Sequence, residues 1–254
     1  MIAHLAHIQL SYEWIDPVEL RDTEHILIFI HEALGSIGQW KTFPQKLCNE
    51  LGARGIVYER CGHGASSPLT NERTHRYLHD YALVELPNFL RAVLPENQKI
   101  ILVGHSDGGT IALLYAAKFP SRVPAMITMA AHVINEPTTI AGIAPAVAAF
   151  EAGKLDGLKK YHGDKTASLF YAWANTWRDQ SFEHWNITHE ITNDVTKGLF
   201  IQGADDQYGT EKQLALIGEY VQKSTVQLLE NCGHHPHLEQ TASVIAGIKK
   251  WLSC

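Results

Sequence analysis

The stretch "KIILVGHSDGGTIALLYAAKFP", Lys99 to Pro120, changes character abruptly at its centre. Lys99 to Gly104 is a short run rich in β-branched residues and apolar on both faces, the pattern of a strand buried on both sides. A helix-forming segment follows it without a spacer. The junction, Gly104-His105-Ser106-Asp107-Gly108, fits G-x-S-x-G. A serine between strand and helix sits on a strained turn with its hydroxyl exposed. The flanking glycines let the two backbones approach closely. The same turn directs the Asp107 backbone N–H toward a developing oxyanion, and the helix N-terminus adds partial positive charge. The blander alternative is a glycine-rich turn with an incidental serine; the strand–turn–helix context favours a nucleophile.

The rest of the chain repeats that rhythm. "AHLAHIQLSYEWID" alternates well enough for one or two strands, a hairpin through about Gln9 to Tyr12. "HILIFI", "GIVYE", "VPAMITMA", "KGLFIQG" and "TVQLLE" read as further strands. Helical segments lie between them: "SIGQWKTFPQKLCNELG" ending at Gly52, Arg73 to Leu94 kinked or divided by Pro87, "TEKQLALIGEYV", and about Leu238 to Leu252. Such alternation predicts an α/β fold, a mostly parallel sheet with helices on both faces. The rhythm breaks over residues 133–193, which are helical and aromatic-rich. They are expected to be an insertion into a core formed by 1–132 and 194–254.

A serine hydroxyl needs a base, and the base needs a carboxylate to orient it. Both residue types follow later strands. "ADDQYG" offers Asp205 and Asp206, and "NCGHHPHLEQ" offers His234, His235 and His237. The order Ser, Asp, His is that of one of the three familiar serine-hydrolase arrangements. Cys232 and the three histidines also raise a metal site, but their spacing matches no recurrent zinc set and no Cys-x-x-Cys exists elsewhere. No metal and no cofactor are expected.

On these motifs the sequence resembles the α/β-hydrolase superfamily over nearly its whole length. The resemblance implies a G-x-x-D acid at Asp206, with Asp205 as the fallback, and a G-H base at His234. His235 and His237 are then expected to be structural, at a helix entry started by Pro236. The family's H-G-x-x-G loop corresponds to His31-Glu32-Ala33-Leu34-Gly35, which implies Ala33 as the second oxyanion N–H donor beside Asp107. That stretch is not half of H-E-x-x-H, because Gly35 stands where the second histidine must be and the motif ends a strand. Glu32 departs from the family's commoner glycine. Two readings stay open: a buried carboxylate bonded to loop N–H groups or to Arg60 or His63, or a pocket-edge group that meets substrate. In the insertion, Trp173 and Trp177 are four apart and share a helix face. As a lid they would line a cavity for an apolar or aromatic group.

Composition sets the outer limits. The chain has 254 residues, 45% hydrophobic and 19% charged, with a formal net charge of -6 and 15 histidines. This is an ordinary globular composition with no basic face for nucleic acid or an anionic membrane. The first twenty residues hold no Lys or Arg and no continuous apolar core, so no signal peptide is expected. The longest apolar stretch, Ile140 to Phe150, is interrupted by Pro145 and far shorter than the roughly 20 residues of a membrane span. Four scattered cysteines, Cys48, Cys61, Cys232 and Cys254, suit reduced thiols in the cytoplasm.

The function expected is a serine hydrolase cleaving a small carboxylic ester with an apolar part, through Ser106, His234, Asp206 and an acyl-enzyme. A carbon–carbon bond hydrolase, lactonase or thioesterase on the same triad stays open, as does a non-catalytic small-ligand receptor on the same scaffold. Monomer and homodimer are equally compatible with the sequence.

Overall fold

The computed structural model describes residues 1–253. It begins with strands β1 (Ile2–His4), β2 (Gln9–Ile15) and β3 (Asp22–Ile30), helix α1 (Phe43–Leu51) and strand β4 (Ala53–Tyr58). Helices α2 (Tyr77–Asp80) and α3 (Leu86–Val93) precede β5 (Lys99–His105), α4 (Asp107–Lys118) and β6 (Ala125–Met129). Helices α5 (Pro137–Glu151), α6 (Lys159–His162) and α7 (Thr166–Arg178) come next. The chain closes with β7 (Lys197–Gly203), α8 (Glu211–Tyr220), β8 (Ser224–Leu229), α9 (Pro236–Glu239) and α10 (Thr241–Leu252).

The eight strands form one sheet in the order β1-β2-β4-β3-β5-β6-β7-β8. Pairings from β4 through β8 are parallel, while β1–β2 and β2–β4 are antiparallel. Because side chains alternate across a strand, β3 feeds two cores. Ile28 and Ile30 pack with Ile56, Leu102, Phe89 and Met126 on one face. Leu27 and Phe29 pack with Val57, Val103, Ile127 and Trp251 on the other. Burial on both faces is why the central strands read as unbroken apolar runs.

The expected hairpin exists, but its turn lies earlier. Ile2 pairs with Ser11 and His4 with Gln9, so Gln9 to Tyr12 belongs to the second strand, where Leu10 and Tyr12 face the core. The expected Arg73–Leu94 helix starts at Tyr77, and a π-helical turn at Tyr81–Glu85 separates α2 from α3. The wider turn relieves the clash between the Pro87 ring and the preceding backbone, so the axis is interrupted rather than broken. Gly52 caps α1 at φ +66, a left-handed conformation suited to glycine. The final helix is two, α9 and α10, parted at Gln240. No helix among the described residues is long and apolar enough to cross a membrane. Cys48, Cys61 and Cys232 form no disulfide, and Cys254 lies outside the described residues.

Candidate active site

The carboxyl ends of the parallel strands converge on one place, as expected for open α/β sheets. Ser106 follows β5 directly and takes φ +53, ψ -119, a strained conformation for a residue with a side chain. The strain is held by hydrogen bonds: its N–H donates to Met129 O at 2.8 Å, and its carbonyl accepts from Gly109 N at 2.8 Å. A Cβ on Gly108 would lie 1.9 Å from the Ile30 carbonyl oxygen, so only glycine lets α4 start this close to β3.

His234, on the loop after β8, places Nε2 3.0 Å from Ser106 Oγ. Its Nδ1 lies 2.9 Å from both carboxylate oxygens of Asp206, on the loop after β7. Asp206 also accepts from the Tyr208 backbone N–H at 2.8 Å and from the Gln202 side-chain amide. Burial pushes the Asp206 pKa up, but the hydrogen bonds and charge of His234, with the Tyr208 N–H, hold it below the usual carboxylate value. Asp205 is exposed and spends its backbone N–H on Cys232 O. The structure thus brings Asp206, not Asp205, to the histidine.

Ala33 and Asp107 both line the cavity over Ser106. The Ala33 loop is a tight turn closed by Gly35 N–H to Glu32 O at 3.0 Å. His31 anchors it from behind: Nε2 accepts from the Arg60 backbone N–H at 3.1 Å, and Nδ1 donates to Glu32 O at 2.7 Å. His63 donates from Nε2 to Ala33 O at 3.0 Å.

Glu32 combines parts of both its readings. Its Oε2 accepts from Leu34 N–H at 2.8 Å, so it does bond to the loop. Yet the side chain is half-buried and lines the cavity. The carboxylate pairs with neither Arg60 nor His63; Arg60 Nη2 donates to the Glu32 carbonyl at 2.7 Å instead. Burial raises the Glu32 pKa, opposed by the Leu34 N–H and by His234.

The cavity has a volume of about 250 Å³, and Ile143, Phe170, Trp173, Trp177 and Tyr208 wall it with Leu158. Trp173 and Trp177 share the inner face of α7, as their spacing implies. A larger hollow of about 820 Å³ lies at the opposite ends of the strands, lined by Asp22, Ala53, Ile101 and Lys197, and holds none of these groups.

Tyr77 and His132 escaped the sequence reading, as did the bonds that join Trp177 and Arg60 to Asp107. Trp177 Nε1 donates to Tyr77 OH at 2.7 Å, and Tyr77 OH donates to Asp107 Oδ2 at 2.9 Å. The fully buried Arg60 guanidinium lies 3.7 Å from the same oxygen. His132, just past β6, donates from Nε2 to Tyr208 O at 3.0 Å, with its ring 6.1 Å from that of His234. Its place at a strand exit was the available signal; Tyr77, on a helix far away in sequence, offered none.

His235 and His237 pack against His105 with tilted rings, their centroids 5.0 and 4.5 Å from its own. Among the described residues no three His, Cys, Asp or Glu side chains are grouped to hold a metal ion. Burial, with neighbouring imidazoles, lowers the pKa of His235 to about 4 and of His237 to about 3. An unfolded histidine binds its proton near pH 6.5, so between there and about pH 3 the unfolded state binds more protons. Stability is therefore full above pH 6.5 and declines as pH falls toward these lowered values. The urea midpoint is expected to drop between pH 7 and pH 5, and His237→Phe, which keeps the ring against Trp40 and Phe43, should flatten that slope. An unchanged slope in the variant would contradict the assignment.

Comparison with known proteins agrees with this architecture. The family model for the alpha/beta hydrolase fold matches residues 25–172. Methylesterase 10 of Arabidopsis thaliana is 31% identical over 113 residues, 42% of this chain and 38% of that protein. The match thus spans well under half the length of that relative. Among solved structures, a meta-cleavage product hydrolase from Pseudomonas fluorescens IP01 superposes with TM-score 0.78 at 17% identity, covering 100% of this chain and 97% of the other. An enol-lactonase from Burkholderia xenovorans LB400 gives TM-score 0.75 at 14% identity, with 100% of each chain covered. At such identities the likeness shows the fold. Together with the family match over more than half its length, it establishes that the chain belongs to the α/β-hydrolase fold family.

Proposed function

We propose that the protein is a serine hydrolase that cleaves a small carboxylic ester. The observation that carries this reading is the continuous hydrogen-bonded line from Ser106 through His234 to Asp206 at the wall of a largely apolar cavity. Asp206 keeps the His234 Nδ1–H in place, so Nε2 is free to take the Ser106 proton as Oγ attacks the carbonyl carbon. The backbone N–H groups of Ala33 and Asp107 hold the oxyanion. His234 then passes its proton to the leaving alcohol, and an acyl-serine remains. Water, deprotonated by the same nitrogen, attacks that acyl group and releases the acid. Residues 133–193 act as a lid whose α7 tryptophans exclude water from the reacting carbonyl. Three cysteines without a disulfide favour a cytoplasmic protein.

The test is direct. A fluorophosphonate is expected to label the protein on the peptide containing Ser106, and p-nitrophenyl esters should give a burst of alcohol followed by steady turnover. Thioesters, lactones and carbon–carbon-bonded diketones run in parallel rank the other substrates that such a triad serves. Absence of turnover across the whole panel would sink the enzyme reading and leave a ligand receptor.

A further inference from the structure

A second cavity of about 250 Å³ adjoins the one over Ser106, and Glu32, Gln39 and His235 line both. Both expose mainly apolar surface, built from different residues. The inner walls are hydrocarbon and aromatic, with Ile143, Ala146, Leu155, Phe170 and Trp173. The outer walls add Ser36, Lys41, Tyr161 and His237. A substrate filling both spaces has two parts that meet where Glu32, Gln39 and His235 stand.

The boundary groups say what the outer part of that substrate carries. Among the described residues, the Glu32 carboxylate makes a single hydrogen bond, from Leu34 N–H to Oε2. Oε1 is left without a donor at the junction of the cavities. The guanidinium that could neutralise it, Arg60, is committed to backbone carbonyls and to Asp107. Lys41, at the outer rim, is engaged with Tyr161 OH at 2.9 Å. An unpaired carboxylate beside a reacting carbonyl opposes the negative charge that builds there, unless the substrate brings a proton donor to it. Orientation follows from His234. The leaving oxygen must face Nε2, and the wall that continues from His234 into the outer cavity is His235.

The geometry points to a bipartite ester, with the apolar acyl chain inside and, outside, an alcohol whose hydroxyl or ammonium group donates a hydrogen bond to Glu32. This assignment rests on the ester-hydrolase reading. A site built to bond a donor rejects the analogue that lacks it, because its own polar group is then buried unpaired.

Four hexanoate esters test it in two size-matched pairs: 2-hydroxyethyl against propyl, and 2-(dimethylamino)ethyl against 3-methylbutyl. The wild-type kcat/KM is expected to favour the donor-bearing ester by about tenfold or more in one pair, and that pair tells hydroxyl from ammonium. Glu32→Leu, which removes both acceptor oxygens, should bring that ratio near one; the ratio is the readout, whatever the absolute rate. Ratios below tenfold in both pairs, on a protein that hydrolyses all four esters, overturn the inference and leave the ester reading intact. A preference that survives Glu32→Leu overturns the role of Glu32. Hydrolysis of none of the four overturns the ester reading itself. Should Glu32→Leu fail to fold, the wild-type ratios still decide, and Glu32→Gln, which retains an acceptor for Leu34, takes its place in the ammonium pair.

Discussion

Ser106→Ala is expected to lower ester turnover by about 10⁶-fold, and adding Asp206→Asn to it should lower turnover no further. On the proposed mechanism the three side chains work as one unit, so once the nucleophile is gone the orientation of His234 has nothing to act on. Asp206→Asn alone should lower kcat by about 10⁴-fold, because an amide can donate to Nδ1 and turn the imidazole to the wrong tautomer. Asp205→Asn should stay within about twofold of wild type, the behaviour of an exposed surface position. Steady-state kinetics on one p-nitrophenyl ester, with circular dichroism to verify folding, checks all four variants. Equal losses at Asp205 and Asp206 would contradict the geometry.

Arg60→Met should be the most destabilising substitution of those considered, by about 3–5 kcal/mol. The Arg60 side chain is fully buried, lies 4.7 Å over the Tyr81 ring, and ties the carbonyls of His31 and Glu32. Removing it leaves Asp107 as a buried carboxylate with Tyr77 as its hydrogen-bond partner and Arg73 as a more weakly engaged cation, and two loop carbonyls lose a donor. For a chain of this size such a loss lowers the melting temperature by roughly 10 °C. Arg60→Met combined with Asp107→Asn should recover part of it, since the uncompensated charge is then gone. If Arg60→Met melts with the wild type, the guanidinium is not the counter-charge described here.

Much of this site could be read from residue order, because Ser106, Asp206 and His234 each sit just past the end of a strand. "KIILVG" and "KGLFIQG" announce their strands through burial on both faces, and Ser106 and Asp206 follow at their exits. What could not be read is whatever depends on side-chain direction. Two aspartates one position apart look alike in sequence; the turn at Gly203–Asp206 exposes one and buries the other. The partner of Glu32 was unreadable for the same reason, since Arg60 reaches the carbonyl and not the carboxylate. The start of the β1–β2 hairpin lacked a strong turn signal, and the π-helical turn before Pro87 has no composition of its own. Tyr77 lies about a hundred residues from Trp177 and thirty from Asp107, so only the folded chain joins them.

On the proposed ester-hydrolase reading, that three-residue link also limits how substrate gets in. Trp177 belongs to α7, Tyr77 to α2 and Asp107 to the first turn of α4, so α7 is riveted to the helix that follows Ser106 by two buried hydrogen bonds. Swinging α7 outward would strip both and disturb the residue whose backbone holds the oxyanion. Helix α6 is tied in the same way, since His162 bonds to Leu34 O and Gly64 N–H, so the element left for an opening to move is α5, whose Thr139 Oγ1 donates to Tyr208 O. Helix α5 buries only Thr139 and Ile143 and carries Pro145 in its interior, which makes it the softer side of the doorway.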